Sequence, residues 1–139
     1  MKSVDTNILV RYYAQDDALQ SPLALQLFKN EPELFVTKTV LLELFWVLTQ
    51  ADKFRFLPEQ VMAVFEHLQG LPNIIIEDEF SLQTAIAWCR AGLEFPDALH
   101  LAASRSLSDN RYKCLIFCGA IMQKKQDWAC KTTSQITHS

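Results

Sequence analysis

Three acidic residues stand in company that acids seldom keep. Asp5 follows Ser3 and Val4, which suit a short opening strand, and precedes the apolar run Ile8-Leu9-Val10. Glu43 lies inside the run Val40 to Leu48, with leucine on either side and no Lys or Arg three or four residues away. Asp97 follows Pro96 and opens a segment of Ala and Leu. Each has a purely structural reading. Asp5 can cap a helix, Glu43 can sit on one turn that breaks the surface, and Asp97 can offset the dipole of a first turn by about 0.3–1 kcal/mol. The chemical reading takes them together. A Glu on a buried helix is costly unless something pairs with it, and carboxylates about 5 Å apart repel by roughly 3 kcal/mol per pair at an effective dielectric near 20. Divalent cations relieve that repulsion, and oxygen-only donors without His or Cys favour Mg2+ or Mn2+. Ions held this way polarise a phosphodiester, make water acidic enough to attack it, and stabilise the leaving 3′ oxygen.

The elements that must position these acids alternate between strands and helices. After the opening strand, a short helix is expected over Asn7–Tyr13, then a polar loop Ala14–Asp17. Ser21-Pro22 reads as an N-cap with proline at the first helical position, followed by a stripe of Leu23, Leu27 and Phe28. Leu34-Phe35-Val36 is a short buried strand, and Thr37 or Thr39 caps the next helix, which runs to about Ala51. That helix is apolar almost all round, so it is expected to be buried on every side. Pro58 opens another helix with Gly70 after its end, and Ile74-Ile75-Ile76 reads as a central parallel strand. Ser81 or Asp78 starts a helix that Gly92 stops. Phe95-Pro96-Asp97 then enters a helix through Ser104, and Cys114–Phe117 is the last strand. Strands joined through helices require crossover connections, hence a parallel sheet with both faces covered. The fold class expected is a three-layer α/β/α domain with a mainly parallel central sheet.

Composition narrows the classes. The chain has 139 residues, half of them hydrophobic, which fits one globular domain over residues 1–139 and excludes wholesale disorder. A net charge of −3 leaves no electrostatic footprint for a protein that coats nucleic acid, but an acidic site that holds metal ions is compatible with it. No basic segment with a following apolar run marks a signal peptide, and no stretch approaches a membrane helix, so a cytoplasmic protein is expected. Cys89, Cys114, Cys118 and Cys130 form no CxxC pair, which speaks for reduced thiols rather than zinc or a redox dithiol.

Val4-Asp5-Thr6-Asn7-Ile8-Leu9, Thr39-Val40-Leu41-Leu42-Glu43 and Phe95-Pro96-Asp97-Ala98-Leu99-His100-Leu101-Ala102 occur in an order that resembles the PIN domain over about residues 1–117. More narrowly the chain resembles the VapC-type toxins of type II toxin–antitoxin pairs. The resemblance implies an Mg2+- or Mn2+-dependent endoribonuclease that leaves 5′-phosphate and 3′-hydroxyl ends, with a small cognate antitoxin and a homodimeric assembly. It implies that Asp5, Glu43 and Asp97 are the metal-binding and catalytic acids, and that Thr6 and Asn7 orient ligands or water from behind them. His100, one turn from Asp97, is read as making a structural hydrogen bond rather than as a ligand. The cluster Phe45-Trp46, with Phe54 and Phe56, fits either internal packing or a dimer surface. Other doubly wound phosphate-handling domains fit less well. A haloacid-type phosphatase wants a second Asp where Asn7 stands, and a response-regulator receiver wants an acidic pair near the first strand.

The chain departs from the family pattern at its end. The family commonly closes its last strand with Thr-Phe-Asp, a fourth acid, whereas here Ile116-Phe117 is followed by Cys118 and Gly119. Residues 118–139 are atypical of the family, which opens an alternative: a catalytically impaired relic that binds antitoxin or RNA without cleavage. Losing one carboxylate is expected to leave one weak metal site and low nuclease activity. The codons from Ala120 to Cys130, read two bases later, can encode Asp-Tyr-Ala-Lys-Lys-Ala-Arg-Leu-Gly-Leu-Gln, which resembles the family's tail after the fourth acid, an amphipathic helix leading to a short closing strand. A frameshift near codons 105–120, in the gene or in its sequencing, would account for this. The nucleotide sequence is expected to carry codons compatible with that peptide, and codons that cannot encode it would dispose of the frameshift.

Overall fold

The computed structural model describes residues 1–105, with Arg105 by its backbone alone. The expected last strand, Cys114–Phe117, and the atypical tail with Cys118 lie outside the described residues. The chain divides into two compact units, Met1–Glu79 and a second that begins at Phe80.

The first unit is built on a parallel sheet of β1 (Lys2–Ser3), β2 (Leu34–Val36) and β3 (Ile74–Ile76), in the order β1-β2-β3. Lys2 pairs with Leu34 and Ser3 with Phe35, while Leu34, Phe35 and Val36 pair with Ile74, Ile75 and Ile76. Backbone bonds Val4 N to Phe35 O, at 2.9 Å, and Glu77 N to Val36 O, at 2.9 Å, continue both ladders by one residue. The parallel α/β class read from the sequence is therefore present. Among the described strands, however, β2 and not β3 is central. Ile74 is half-buried and Ile75 is 40% exposed, so an unbroken β-branched run here marks an outer strand with one wet face.

Helix α1 (Thr6–Ala14) follows β1, and α2 (Gln20–Asn30) packs on it. The entry to α2 differs from the Ser21-Pro22 cap expected. Asp17 Oδ1 accepts from Leu19 N at 2.9 Å and Gln20 N at 2.7 Å, while Ser21 is buried. The inward face is Ser21, Ala24 and Phe28, and Leu23 is left 64% exposed. At the far end of α2, Asn73 Nδ2 donates to the carbonyls of Phe28 and Glu31, at 2.7 and 3.0 Å, satisfying acceptors that a helix end leaves open.

Thr37 is the N-cap of α3 (Lys38–Gln50): its hydroxyl accepts from Val40 N at 3.3 Å. The first amide of α3, Lys38 N, donates to Glu77 Oε2 at 3.1 Å. The helix is not buried all round. Leu41, Leu44, Phe45 and Leu48 form one i, i+3, i+4, i+7 stripe that is buried, while Glu43 and Trp46 project to solvent. Helix α4 (Pro58–Gly70) packs on α3 and buries Val61, Met62, Phe65 and Leu68. Gly70 is its last residue rather than the residue beyond it.

In the second unit, α5 (Glu79–Arg90) buries Leu82, Ala85, Ile86 and Trp88. Gly92 ends that segment at φ +114°, a backbone angle that residues with a Cβ rarely adopt. Helix α6 (Phe95–Arg105) carries Asp97 in its first turn and buries Phe95, Ala98, Leu99, Leu101 and Ala102. Among the described residues no helix is long and apolar enough to cross a membrane.

The α1–α2 turn gathers charge. Asp16 Oδ2 meets Lys53 Nζ at 2.7 Å and Arg11 Nη1 at 2.8 Å, and these cations, Lys53 foremost, hold the Asp16 carboxyl below its usual range. A carboxyl lowered on folding contributes stability above its unfolded pKa, about 3.9, and loses it as pH falls through the folded value. Stability against urea is therefore expected to fall on acidification below about pH 4, with a shallower acid limb in Asp16→Asn. Equal acid limbs in the two chains would contradict this.

Candidate metal-binding carboxylates at the sheet edge

Val4 is the last buried residue of the first strand segment, and Asp5 stands one residue past it at the carboxyl edge of the sheet. Ligands gather at this edge in open α/β folds. Asp5 is extended, at φ −91° and ψ 169°, and its Oδ1 accepts from Ile8 N at 3.0 Å, so it is the N-cap of α1. The side chain remains exposed. The capping and ligand readings thus coexist: one oxygen is tied to the helix and Oδ2 stays open to solvent.

Thr6 is the link to α3. It is buried to 8% exposure, and its Oγ1 donates to Glu43 Oε2 at 2.7 Å. This bond spans two helices and sets Glu43 beside the residue that follows Asp5. Glu43 is exposed, so the burial penalty invoked from its apolar neighbours does not apply. Among the described residues neither Asp5 nor Glu43 is in an ion pair. Each of these carboxylates therefore has one oxygen held by a donor and another available, an all-oxygen set that fits a hard divalent cation.

Asn7 is exposed beside Asp5, and both line a cleft between α1 and α2 with a volume of about 390 Å3. Ile8, Leu23, Ala24 and Leu27 form its apolar wall, and Arg11 and Gln20 close it, joined by an Arg11 Nε to Gln20 Oε1 bond of 2.8 Å. Sequence reasoning missed this cleft. Its one signal was Leu23, an apolar residue at a helical position that turns out to face solvent.

Asp97 belongs to the second unit. It is half-buried in the first turn of α6, where Ala98 N donates to Glu94 O at 2.9 Å. His100 is exposed on the same helix, and its carbonyl accepts from Ser104 Oγ at 2.9 Å. Among the described residues its imidazole makes no hydrogen bond, so the structural bond expected of it is not found there. Among those residues, too, no group of three His, Cys, Asp or Glu side chains is close enough to hold a metal ion. What the structure joins is the pair in the first unit, Asp5 and Glu43 through Thr6. Cys89, the described cysteine, is a reduced, half-buried thiol.

A sequence model of the PIN domain matches residues 3–113. No curated protein matches the chain.

The Thr6 bond generates a direct expectation. Thr6→Val keeps the shape of the buried side chain but removes the donor, freeing Glu43 to rotate. Residues that orient metal ligands typically contribute roughly 10–100-fold in metal affinity. Calorimetric titration with Mn2+ is expected to show a loss of that order in Thr6→Val and little change in Thr6→Ser. Equal affinities in all three chains would mean that the bond is structural only.

Proposed function

Because the chain belongs to the PIN domain family, whose members are in general nucleases and usually use divalent metals, we propose that it is an Mg2+- or Mn2+-dependent endoribonuclease. In this reading it is the VapC-like toxin of a toxin–antitoxin pair and acts in the cytoplasm. The observation that carries the reading is the Thr6 hydroxyl on Glu43, which couples the Asp-Thr-Asn turn to the acid of α3.

Asp5 and Glu43 would hold the cation, and the resemblance implies the same role for Asp97. The bound ion would polarise the scissile phosphodiester and acidify the attacking water. Thr6 fixes the Glu43 rotamer, and the Asp5 cap bond fixes the carboxylate plane at the start of α1. Asn7, exposed next to Asp5, presents a carboxamide to a phosphate oxygen or water. The cleft of Ile8, Leu23, Ala24 and Leu27 supports an apolar segment of a small antitoxin as a partner. A homodimer is proposed on the family resemblance alone. The relic alternative rests on Cys118 in the place of the fourth acid: binding of antitoxin or RNA then persists without cleavage.

Asp5→Asn separates these readings. Asn caps a helix about as well as Asp, so the substitution removes the charge and leaves α1 intact. With Mn2+, the parent chain is expected to cut single-stranded RNA slowly, leaving 5′-phosphate and 3′-hydroxyl ends, and Asp5→Asn is expected to be inactive. Cleavage that survives Asp5→Asn would refute the site, and no cleavage by the parent with any divalent metal would establish the relic. Calorimetry is expected to show one weak Mn2+ site; two tight sites would rule out the impaired centre.

A further inference from the structure

Trp46 is a large apolar side chain that the fold leaves out. It is 60% exposed on α3, although Leu44, Phe45 and Leu48 beside it are buried at 7% or less. Those three anchor the helix, so the Trp46 Cα is fixed and only the indole is free to meet a ligand. Among the described residues the indole stacks on no other ring. Trp46 lies three residues after Glu43, and side chains at i and i+3 on a helix are neighbours, with Cβ atoms about 5–6 Å apart. The outer face of α3 therefore presents a carboxylate fixed by Thr6 and, one turn on, an open aromatic plane.

We infer that Trp46 is a base-stacking residue, which receives the nucleobase next to the phosphate that a divalent cation on Glu43 would hold in a single-stranded RNA. This rests on the nuclease reading and deepens it. A base hangs from the same sugar–phosphate unit that the carboxylates engage, so a strand placed on Glu43 brings a base over the neighbouring turn. Stacking on an aromatic plane accepts every base, because each has a π face. It also supplies affinity that a chain of net charge −3 cannot take from phosphate contacts alone. A second copy of the chain is the poorer occupant. Covering Trp46 would also cover Glu43, which has the Thr6 hydroxyl but no ion pair among the described residues, and burying that charge opposes association.

The test reads binding without cleavage, with Ca2+ replacing Mg2+ and a short mixed-sequence single-stranded oligoribonucleotide as the probe. Trp46→Ala is expected to weaken binding roughly 5- to 140-fold, from about 1–3 kcal/mol per stacked base at about 1.4 kcal/mol per tenfold, and Trp46→Phe to restore most of it. An abasic nucleotide walked along the probe should weaken the parent at one position and leave Trp46→Ala no weaker there, because the stacked partner is already gone. Parent-like binding by Trp46→Ala, equal abasic losses in both chains, or a dimer that Trp46→Ala converts to monomer would each overturn the inference. If the parent binds no RNA, the nuclease reading fails and this inference with it. If the parent binds and only the Trp46 effects are absent, the inference alone fails.

Discussion

The parallel register of three short strands is the constraint on which the first unit depends. Continued by one residue beyond Val4, Val36 and Ile76, it brings Asp5, Thr37 and Glu77 to the same level at the carboxyl edge of the sheet. Each then meets the start of a helix. Asp5 caps α1, Thr37 caps α3, and Glu77 takes the first amide of α3. Parallel strands leave their polar successors on one edge because every crossover returns the chain in the same direction. The acids gather there through topology before any chemistry selects among them.

Not every acid on that edge is equally available. Glu77 and Asp78 are committed to Lys38, through its backbone amide and its ammonium group. Asp16 is committed to Lys53 and Arg11. Asp5 and Glu43 are held by neutral donors only, an amide and a hydroxyl, as Glu77 and Asp17 are by backbone amides. Neutral tethering fixes a carboxylate's direction without cancelling its field. What sets Asp5 and Glu43 apart is that both are tied to the one Asp-Thr-Asn turn.

Much of this was legible in the residues. The Asp-Thr-Asn turn after a strand, Thr37 before an apolar run and Gly92 after a helical stripe each signal a local device, and each is found at its place. What failed had to be decided by tertiary packing. Val40 to Leu48 is so apolar that its pattern barely distinguishes an inner from an outer face, so the exposure of Glu43 and Trp46 could not be read. Ser21-Pro22 is a good cap by type, but Asp17 lies close enough to take the α2 amides and Ser21 turns inward. Ile74-Ile75-Ile76 is apolar enough for a central strand, yet its place in the sheet is set by pairing partners that a local pattern does not contain. The cleft beside Asp5 exists only once α2 packs on α1, and no single helix encodes it.

The seal that Glu77 forms on α3 has a directional consequence. A helix start normally attracts anions, because its amides point outward and carry partial positive charge. Here that position already holds an internal carboxylate, so an arriving phosphate meets competition from within the protein and a negative charge where it would otherwise be welcomed. Glu77 thereby leaves the amino end of α3 without the pull on anions that an open helix start exerts.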